Sequence, residues 1–159
     1  MKIYTIGVYG SSEKEFFDKL KESQIDLFCD IRLRRGVRGR QYAFVNSTYL
    51  QKNLAEQGIE YLYEKRFAPT KEIREMQWIE DKEVRQTKKT RETLGHLFRC
   101  GYERLILDKE STDDLLITFK NKNATNIVLF CLESYPEACH RSLLAQRLHD
   151  KYNLEIIHL

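Results

Sequence analysis

The chain has 159 residues, of which 42% are hydrophobic and 32% are charged, a balance typical of one globular domain rather than of a disordered segment. Its net charge of +3 is too small to indicate nucleic-acid binding by itself. No apolar run approaches the ~20 residues that a membrane-spanning helix needs, so no membrane association is predicted. Four cysteines without a secretory signal predict reduced thiols in the cytoplasm.

The first third of the chain predicts alternating strands and helices. Residues 1–8 form a β-prone run, and Ser12 followed by Glu15 has the pattern of a capping box at a helix start. A second strand is predicted over residues 25–33, because its middle is apolar, as in a central parallel strand. A second helix and a third strand over residues 59–63 complete this part of the chain.

An arginine-rich segment follows the second strand. Gly36 and Gly39 oppose a helix there and predict a loop, and residues 31–55 contain no acidic side chain. Such a loop, with Tyr42 and Phe44 close behind it, suits a phosphate backbone with stackable bases, whereas a solvated surface loop is the alternative interpretation. The five arginines, which fall within nine residues, are Arg32, Arg34, Arg35, Arg38 and Arg40.

The second half of the chain predicts longer helices. Residues 70–99 are mostly helical in character, and the spacing of Met76 and Trp78 assigns both to the core. The polar stretch 80–93 contains one apolar residue and is interpreted as a solvated arm, a lid or the connection between two helices. A further helix is predicted to begin after Ser111.

The strongest pattern in the sequence lies near the carboxyl terminus. An apolar run over residues 127–132 is short enough for a buried strand, and a helix with Leu144 and Leu148 on its inner face follows a turn. The turn concentrates a carboxylate, two thiols, an imidazole and a guanidinium within eleven residues, 131–141. A last strand is predicted over residues 154–159.

This alternation predicts an α/β fold, a three-layer Rossmann-like domain over residues 1–159 with a mostly parallel sheet of about five strands. Ligands of such folds bind beyond the carboxyl ends of the strands. If the first strand lies beside the strand of residues 127–132, three loops converge at that edge. They are residues 7–11, 30–40 and 133–141.

Four short motifs span most of the chain. They are Thr5-Ile6-Gly7, Asp30-Ile31-Arg32, Gly58-Ile59-Glu60-Tyr61 and, from Cys131 to Arg141, the pattern C-x-E-x-x-P-x-x-C-H-R. Their order and spacing resemble the DUF488 family of bacterial and archaeal proteins, in which the first motif usually continues with His-Ser. Here Val8 and Tyr9 stand in those places, so no role of that histidine carries over. The resemblance implies a pocket whose chemistry is unassigned.

Four side chains at the predicted strand ends are candidates for catalysis, namely Glu133, Cys139, His140 and Asp30. Glu133 could serve in general acid–base chemistry, or it could simply be a carboxylate favoured by a helix N-terminus. Cys139 could be a nucleophile at a helix start, or a small apolar residue packed beneath the first turn. Cys131, inside an apolar run, is assigned to the core.

No metal site and no cofactor are predicted. Cys139 and His140 are adjacent, and neighbours on a helix point about 100° apart, so they are poorly arranged to bind one ion. No C-x-x-C pair stands nearby to complete a zinc site.

Ligand contacts are predicted from a glycine and from the arginines. Arg141 could hold a phosphate or carboxylate in its fork, or it could pair with Asp30 in an architectural ion pair. An Asp30–Arg32 pair would be architectural in the same way. The complete set of predicted ligand-binding residues is Gly7, Arg32, Arg34, Arg35, Arg38, Arg40 and Arg141.

Three functional hypotheses follow. The first is an enzyme that binds a phosphorylated ligand, nucleotide or nucleic acid at the carboxyl edge of the strands. The second is a non-catalytic nucleic-acid-binding accessory module, favoured by the arginine-rich loop. The third is a thiol redox sensor that uses Cys139 with Cys131.

Overall fold

The computed structural model describes residues 1–159 as one parallel sheet with helices on both faces. The strands are β1 (Lys2–Ile6), β2 (Leu27–Asp30), β3 (Glu60–Tyr63), β4 (Asn126–Phe130) and β5 (Glu155–His158). The α-helices are α1 (Glu13–Glu22), α2 (Ser47–Glu56), α3 (Lys71–Glu83), α4 (His96–Tyr102), α5 (Thr112–Asn121) and α6 (His140–Tyr152). A π-helical segment, Glu103–Leu107, continues directly from α4.

The sheet confirms the predicted three-layer α/β class. Its order is β3-β2-β4-β1-β5, and all four pairings are parallel. The predicted contact between the first strand and the apolar strand is present, with Ile3 opposite Ile127. Because β4 lies in the centre, the loop that follows it is flanked by the loops that follow β1 and β2.

Alternation along β4 divides the interior into two cores. Ile127 and Leu129 belong to the core under α3, α4, α5 and α6, whereas Val128 and Phe130 belong to the core under α1 and α2. Side chains of successive residues point to opposite faces, so an odd-numbered residue just beyond β4 faces the same side as Leu129. Within the strands, this alternation decides which of the two cores a side chain faces.

Local capping agrees with the sequence at α1 and α5. The Ser12 side chain accepts a hydrogen bond from the backbone N–H of Glu15, and the Glu15 carboxylate accepts one from the backbone N–H of Ser12. Ser111 accepts from the backbone N–H of Asp114 at the start of α5. The start of α6 is different. A 3₁₀ turn, Pro136–Ala138, precedes it, and its N-cap residue Cys139 has an extended backbone with φ −139° and ψ 143°.

The helical expectation for residues 70–99 is correct only at its two ends. α3 ends at Glu83 and α4 begins at His96, so the polar stretch between them is a non-helical connection. The assignment of Trp78 to the core is wrong, since its side chain is 57% exposed. α3 packs through Ile73 and Gln77, four residues apart, which turns the following Trp78 outward. No helix is long and apolar enough to cross a membrane.

Candidate functional site

Three loops meet at the carboxyl edge of β1, β2 and β4, as the predicted topology requires. The backbone N–H groups of Val8 and Tyr9 both donate to the carbonyl of Leu132, at 3.1 and 3.0 Å. On the other side, the His140 Nε2 atom lies 3.2 Å from the carbonyl oxygen of Ile31. The regions around residues 30 and 139 therefore share one rim of the sheet.

Gly7 and Arg141, both predicted to contact ligand, instead build this rim. A Cβ on Gly7 would lie 1.9 Å from the carbonyl oxygen of Glu133, so only glycine allows the two loops to approach this closely. Arg141 is fully buried and donates to the carbonyls of Glu133 and Ser134, at 2.6 and 2.9 Å. Both residues therefore have structural roles, and neither lines the cavity described next.

A cavity of about 600 Å³ opens in front of this rim, on the face covered by α3 and α4. Six of its lining side chains are cationic, while its acidic side chains are Asp81 and Glu133. Trp78, Leu94 and Phe98 contribute apolar surface. The six cationic residues are Arg32, Arg34, Arg74, Lys82, Lys88 and Arg91.

The floor of the cavity gathers two thiols, an imidazole and a carboxylate. Cys131 Sγ donates to Glu133 Oε2 at 3.1 Å, and Cys139 Sγ lies 3.7 Å from His140 Nδ1. The ligand atoms of Cys131, Cys139 and His140 all lie within 4.8 Å of one another. Cys131, which we expected in the core, lies two positions before Glu133, and its thiol faces the Glu133 carboxylate. All four side chains are less than 7% exposed.

The charge state of the floor follows from burial and from its neighbours. Burial favours the neutral form of Glu133, but the Lys88 ammonium, the His140 imidazole and the two thiols outweigh it and lower the pKa of Glu133 to about 2. Burial, Cys139 and Glu133 raise the pKa of Cys131 well above its ordinary value. Burial opposes the charging of His140, whereas Cys131 and Glu133 favour it and raise its pKa. An ionised Glu133 next to a protonated Cys131 fits the hydrogen bond between them.

The connection between α3 and α4 supplies the outer wall, which the sequence did not assign to the site. Lys88 lies 3.3 Å from Glu133 Oε1. Arg91 makes two hydrogen bonds to the carboxylate of Asp81 in α3, at 2.9 and 2.6 Å, and so ties the connection down. The backbone N–H of Leu94 also donates to the carbonyl of Glu137, at 2.8 Å. Of the three interpretations of this stretch, the fixed connection between helices describes it best.

Asp30 lies apart from the other three predicted catalytic side chains. Its carboxylate receives two hydrogen bonds from the Arg32 side chain, at 2.8 and 2.7 Å, and a third from the hydroxyl of Tyr61, at 2.8 Å. Asp30 is fully buried and does not line the cavity. The reason is parity, since Cys29 and Ile31 face the cavity side of β2 and Asp30 therefore faces the opposite core. The Asp30–Arg32 pair is the architectural one considered from the sequence.

The arginine-rich loop does not act as one patch. Arg32 and Arg34 line the cavity, whereas the guanidinium of Arg35 lies 4.5 Å from the ring centre of Tyr63. Arg38 is exposed outside the cavity. Arg40 borders a separate, more open groove of about 700 Å³ at the start of α1, which holds no thiol or imidazole. The spacing of the arginines alone carried no signal for this divergence.

Val8 and Tyr9, which follow the Thr5-Ile6-Gly7 motif, form one corner of the rim. Val8 is completely buried, and the Tyr9 ring packs against Tyr42 with centroids 5.2 Å apart. The ammonium of Lys89 lies about equally far from both rings, at 5.9 and 6.0 Å. This corner of the rim is therefore aromatic and cationic, and neither residue contributes a side chain to the lining of the cavity.

Of three comparisons with known proteins, one found a match, and it agrees with the resemblance in the motifs. A search of curated proteins and a search of solved structures each found no match. The family model described as "Domain of unknown function DUF488" matches residues 12–148, which include the β2 and β4 motifs and all four side chains on the floor of the cavity. The chain therefore belongs to the DUF488 family.

Proposed function

We propose that this protein is an enzyme that binds a phosphate-bearing ligand of the nucleotide type in the cavity and acts on it at the cavity floor. The observation that carries the proposal is the floor itself, where Glu133, His140 and Cys139 converge beneath cationic walls. Groups able to move protons or donate electrons rarely gather without function in a basic pocket of ligand size.

Uncompensated positive charge supports the phosphate part of the ligand. Arg32 and Arg91 are neutralised by carboxylates, but Arg34, Arg74 and Lys82 form no ion pair. Charges that share a cavity reinforce one another because field lines concentrate within its low-dielectric walls. An anionic group with several oxygens, such as a phosphate, satisfies these three cations better than water does.

The exposed indole of Trp78 supports the base part of the ligand. Trp78 borders the cavity, and the Lys82 ammonium lies 3.6 Å from the centre of its ring. An exposed indole beside cations provides a stacking surface for a nucleobase, while the cations hold its phosphate. This arrangement distinguishes a nucleotide from inorganic phosphate or a sugar phosphate.

The floor supports a reaction rather than binding alone. Glu133 is ionised and partly shielded by Lys88, whose side chain is 49% exposed and so can turn toward an incoming anion. A phosphate that attracts Lys88 would uncover the Glu133 carboxylate. Glu133 and His140 are then the groups that transfer protons to and from the bound ligand.

Because Trp78 is the chain's single tryptophan, its fluorescence reports on the cavity directly. We expect nucleoside mono-, di- or triphosphates to quench it at low salt, and free nucleosides and pyrophosphate to bind at least tenfold more weakly. Arg74→Gln and Lys82→Gln each remove a charged hydrogen-bond donor and should weaken binding by roughly tenfold or more. The control is Lys21→Gln, an exposed lysine on α1 that lies outside the cavity.

Catalysis is tested on the nucleotide that binds, with products followed by phosphorus NMR and chromatography. Glu133→Gln should retain binding within about threefold and abolish turnover. Equal turnover by Glu133→Gln and the parent would contradict catalysis at this floor. No quenching by any nucleotide at low salt would overturn the proposal as a whole.

A second candidate function, nucleic-acid binding without chemistry, is favoured by the exposed arginines beyond the cavity, Arg38 and Arg40. It is separated from the first by a single-stranded oligonucleotide in the same titration. Binding of the oligonucleotide alone, falling steeply with salt and unaffected by Glu133→Gln, would replace the enzyme proposal with this one.

A further inference from the structure

The geometry of the cavity floor points to a zinc site: we propose that reduced Cys131, Cys139 and His140 bind one Zn²⁺ ion and leave its fourth position open to the cavity. Two thiolates and one imidazole are ligands that zinc prefers, and three protein ligands with an open position are typical of catalytic zinc. This inference goes beyond the proposed function, because metal uptake is measured without any organic ligand.

The positions of the three ligand atoms suit one ion. They lie within 4.8 Å of one another, and the Cys139 Sγ to His140 Nδ1 distance is already 3.7 Å. Zinc–sulfur and zinc–nitrogen bonds of about 2.3 and 2.0 Å, set at tetrahedral angles, place ligand atoms roughly 3.5–3.8 Å apart. No pair of ligand atoms therefore needs to close by more than about 1.3 Å, which side-chain rotation of two cysteines can supply.

The backbone explains how adjacent residues can share an ion. The expectation that Cys139 and His140 diverge by about 100° holds only when both lie inside a helix. Cys139 is the N-cap of α6 and has an extended backbone, whereas His140 is the first helical residue. Cys131 approaches from the end of β4, so the three ligands come from a strand end, a cap and a helix start.

The surroundings of His140 are those of a metal-binding histidine. Its Nε2 atom lies 3.2 Å from the carbonyl oxygen of Ile31, a partner that can only accept a hydrogen bond. Nε2 must therefore carry a proton, and Nδ1 is the atom that faces the thiols. A backbone carbonyl that fixes the far nitrogen of the ring is the usual outer partner of a ligating histidine.

Glu133 completes the case for an open site rather than a closed structural one. Its carboxylate is 3.1 Å from Cys131 Sγ, and it lines the cavity beside Lys88. In zinc deaminases, a glutamate two residues after one ligand of a Cys₂His set is not itself a ligand and acts as the general acid and base. Glu133 stands in the corresponding place relative to Cys131 and could supply the same chemistry. In this assignment Cys139 is a ligand and not the nucleophile considered from the sequence. His140 is likewise a ligand, so with zinc bound the proton transfers of the proposed function fall to Glu133 alone.

The test uses cobalt as a visible substitute for zinc and removes one competing site. Cys100 and His96 lie on the exposed surface of α4 with Sγ and Nε2 3.5 Å apart, so they can hold an adventitious ion. The parent protein is therefore Cys100→Ser, reduced, chelator-treated and confirmed to contain three free thiols. We expect one Co²⁺ per chain, with thiolate-to-cobalt charge-transfer absorption and the intense visible bands of tetrahedral cobalt, both erased by one equivalent of Zn²⁺.

Substitution of the ligands identifies the site. Cys139→Ser and His140→Gln should each weaken zinc binding by at least about 100-fold, since even changes to outer partners of a metal cost 10–100-fold. The matched control is Cys29→Ser, a fully buried cysteine in β2 outside the cluster, which should bind as the parent does. Circular dichroism confirms that each variant folds.

Either of two results would overturn the zinc site. One is that the reduced parent, with its three thiols free, gives no cobalt absorption. That result counts against zinc even if Cys131 and Cys139 form a disulfide on exposure to air. The other is Cys139→Ser binding with the affinity of the parent. Nucleotide binding measured by Trp78 fluorescence is independent of both, so failure of the zinc site and failure of the proposed function are separate outcomes.

Discussion

At the scale of single residues, the site depends on how closely two loops approach one another. At Gly7 the backbone passes so close to the carbonyl of Glu133 that no side chain would fit between them. That same carbonyl accepts a 2.6 Å hydrogen bond from Arg141. One peptide group thus holds the glycine loop on one side and a buried guanidinium on the other. The catalytic candidate Glu133 is positioned through its backbone before its side chain makes any contact.

Gly7→Ala tests this arrangement. A methyl group at 1.9 Å from a backbone oxygen must displace the carbonyl and weaken the hydrogen bond from Arg141, so we expect the free energy of unfolding to fall by about 3 kcal/mol. Gly36→Ala is the control, since its nearest neighbour would be 3.7 Å away, and it should change stability by less than about 0.5 kcal/mol. Urea denaturation measures both, and equal midpoints would contradict the steric account.

At the scale of elements, the connection from Val84 to Gly95 is held by a buried network and not by its own helical propensity. Asp81 accepts hydrogen bonds from Arg91 and from the side-chain Nε2 of Gln77, and the side-chain Oε1 of Gln77 accepts one from the backbone N–H of Gly95, at 2.9 Å. α3 thereby fixes both the middle and the end of the segment that carries Lys88.

Arg91→Ala should release this segment. It leaves the nearly buried Asp81 carboxylate without its cation, which costs about 3 kcal/mol for a buried pair, and it should speed hydrogen exchange of residues 84–95 before the sheet is affected. The comparison is Lys151→Ala, which removes an exposed, solvent-screened ion pair with Asp113 and should lower stability far less than Arg91→Ala does. Unchanged exchange in the connection of Arg91→Ala would show that other contacts hold it.

The elements that the sequence predicted well are those with a repeating pattern. β4 and α6 follow from apolar spacing, and α1 follows from Ser12 and Glu15, because burial and capping act locally. The side chains whose orientation the sequence did not predict depend on details of packing and register that a repeating pattern does not contain. Trp78 is exposed because α3 packs through Gln77, a polar residue that hydrophobic spacing cannot identify, and Asp30 points away from Glu133 because parity on neighbouring strands depends on register. No local sequence pattern predicts the position of Lys88, since the connection that carries it is held by the contacts of Arg91 and Gly95 with α3.

At the scale of the whole molecule, the sheet separates the face that carries the cavity from a supporting face. The cavity and its floor lie with α3, α4 and α6, while α1 and α2 cover an aromatic core that includes Phe16, Phe28 and Phe130. β4 serves both faces through alternate side chains. The general α/β class was predictable because both faces of the sheet bury apolar residues. Which face carries the cavity was not, because it depends on the direction in which the side chains after β4 point.

This division predicts that damage to the two cores has different consequences for the site. Leu54→Ala, in α2, should cost about 3 kcal/mol, and Phe98→Ala, in α4, about 4 kcal/mol, since both side chains are almost completely buried. Only Phe98 lines the cavity, where it stacks on Tyr102 with ring centroids 6.0 Å apart. In amide-proton NMR spectra of the folded variants, resonances of residues 131–141 and the Trp78 indole should shift in Phe98→Ala and stay unchanged in Leu54→Ala. Comparable shifts in both would mean that the sheet transmits packing changes from one face to the other, and the supporting face would then have to be counted as part of the site.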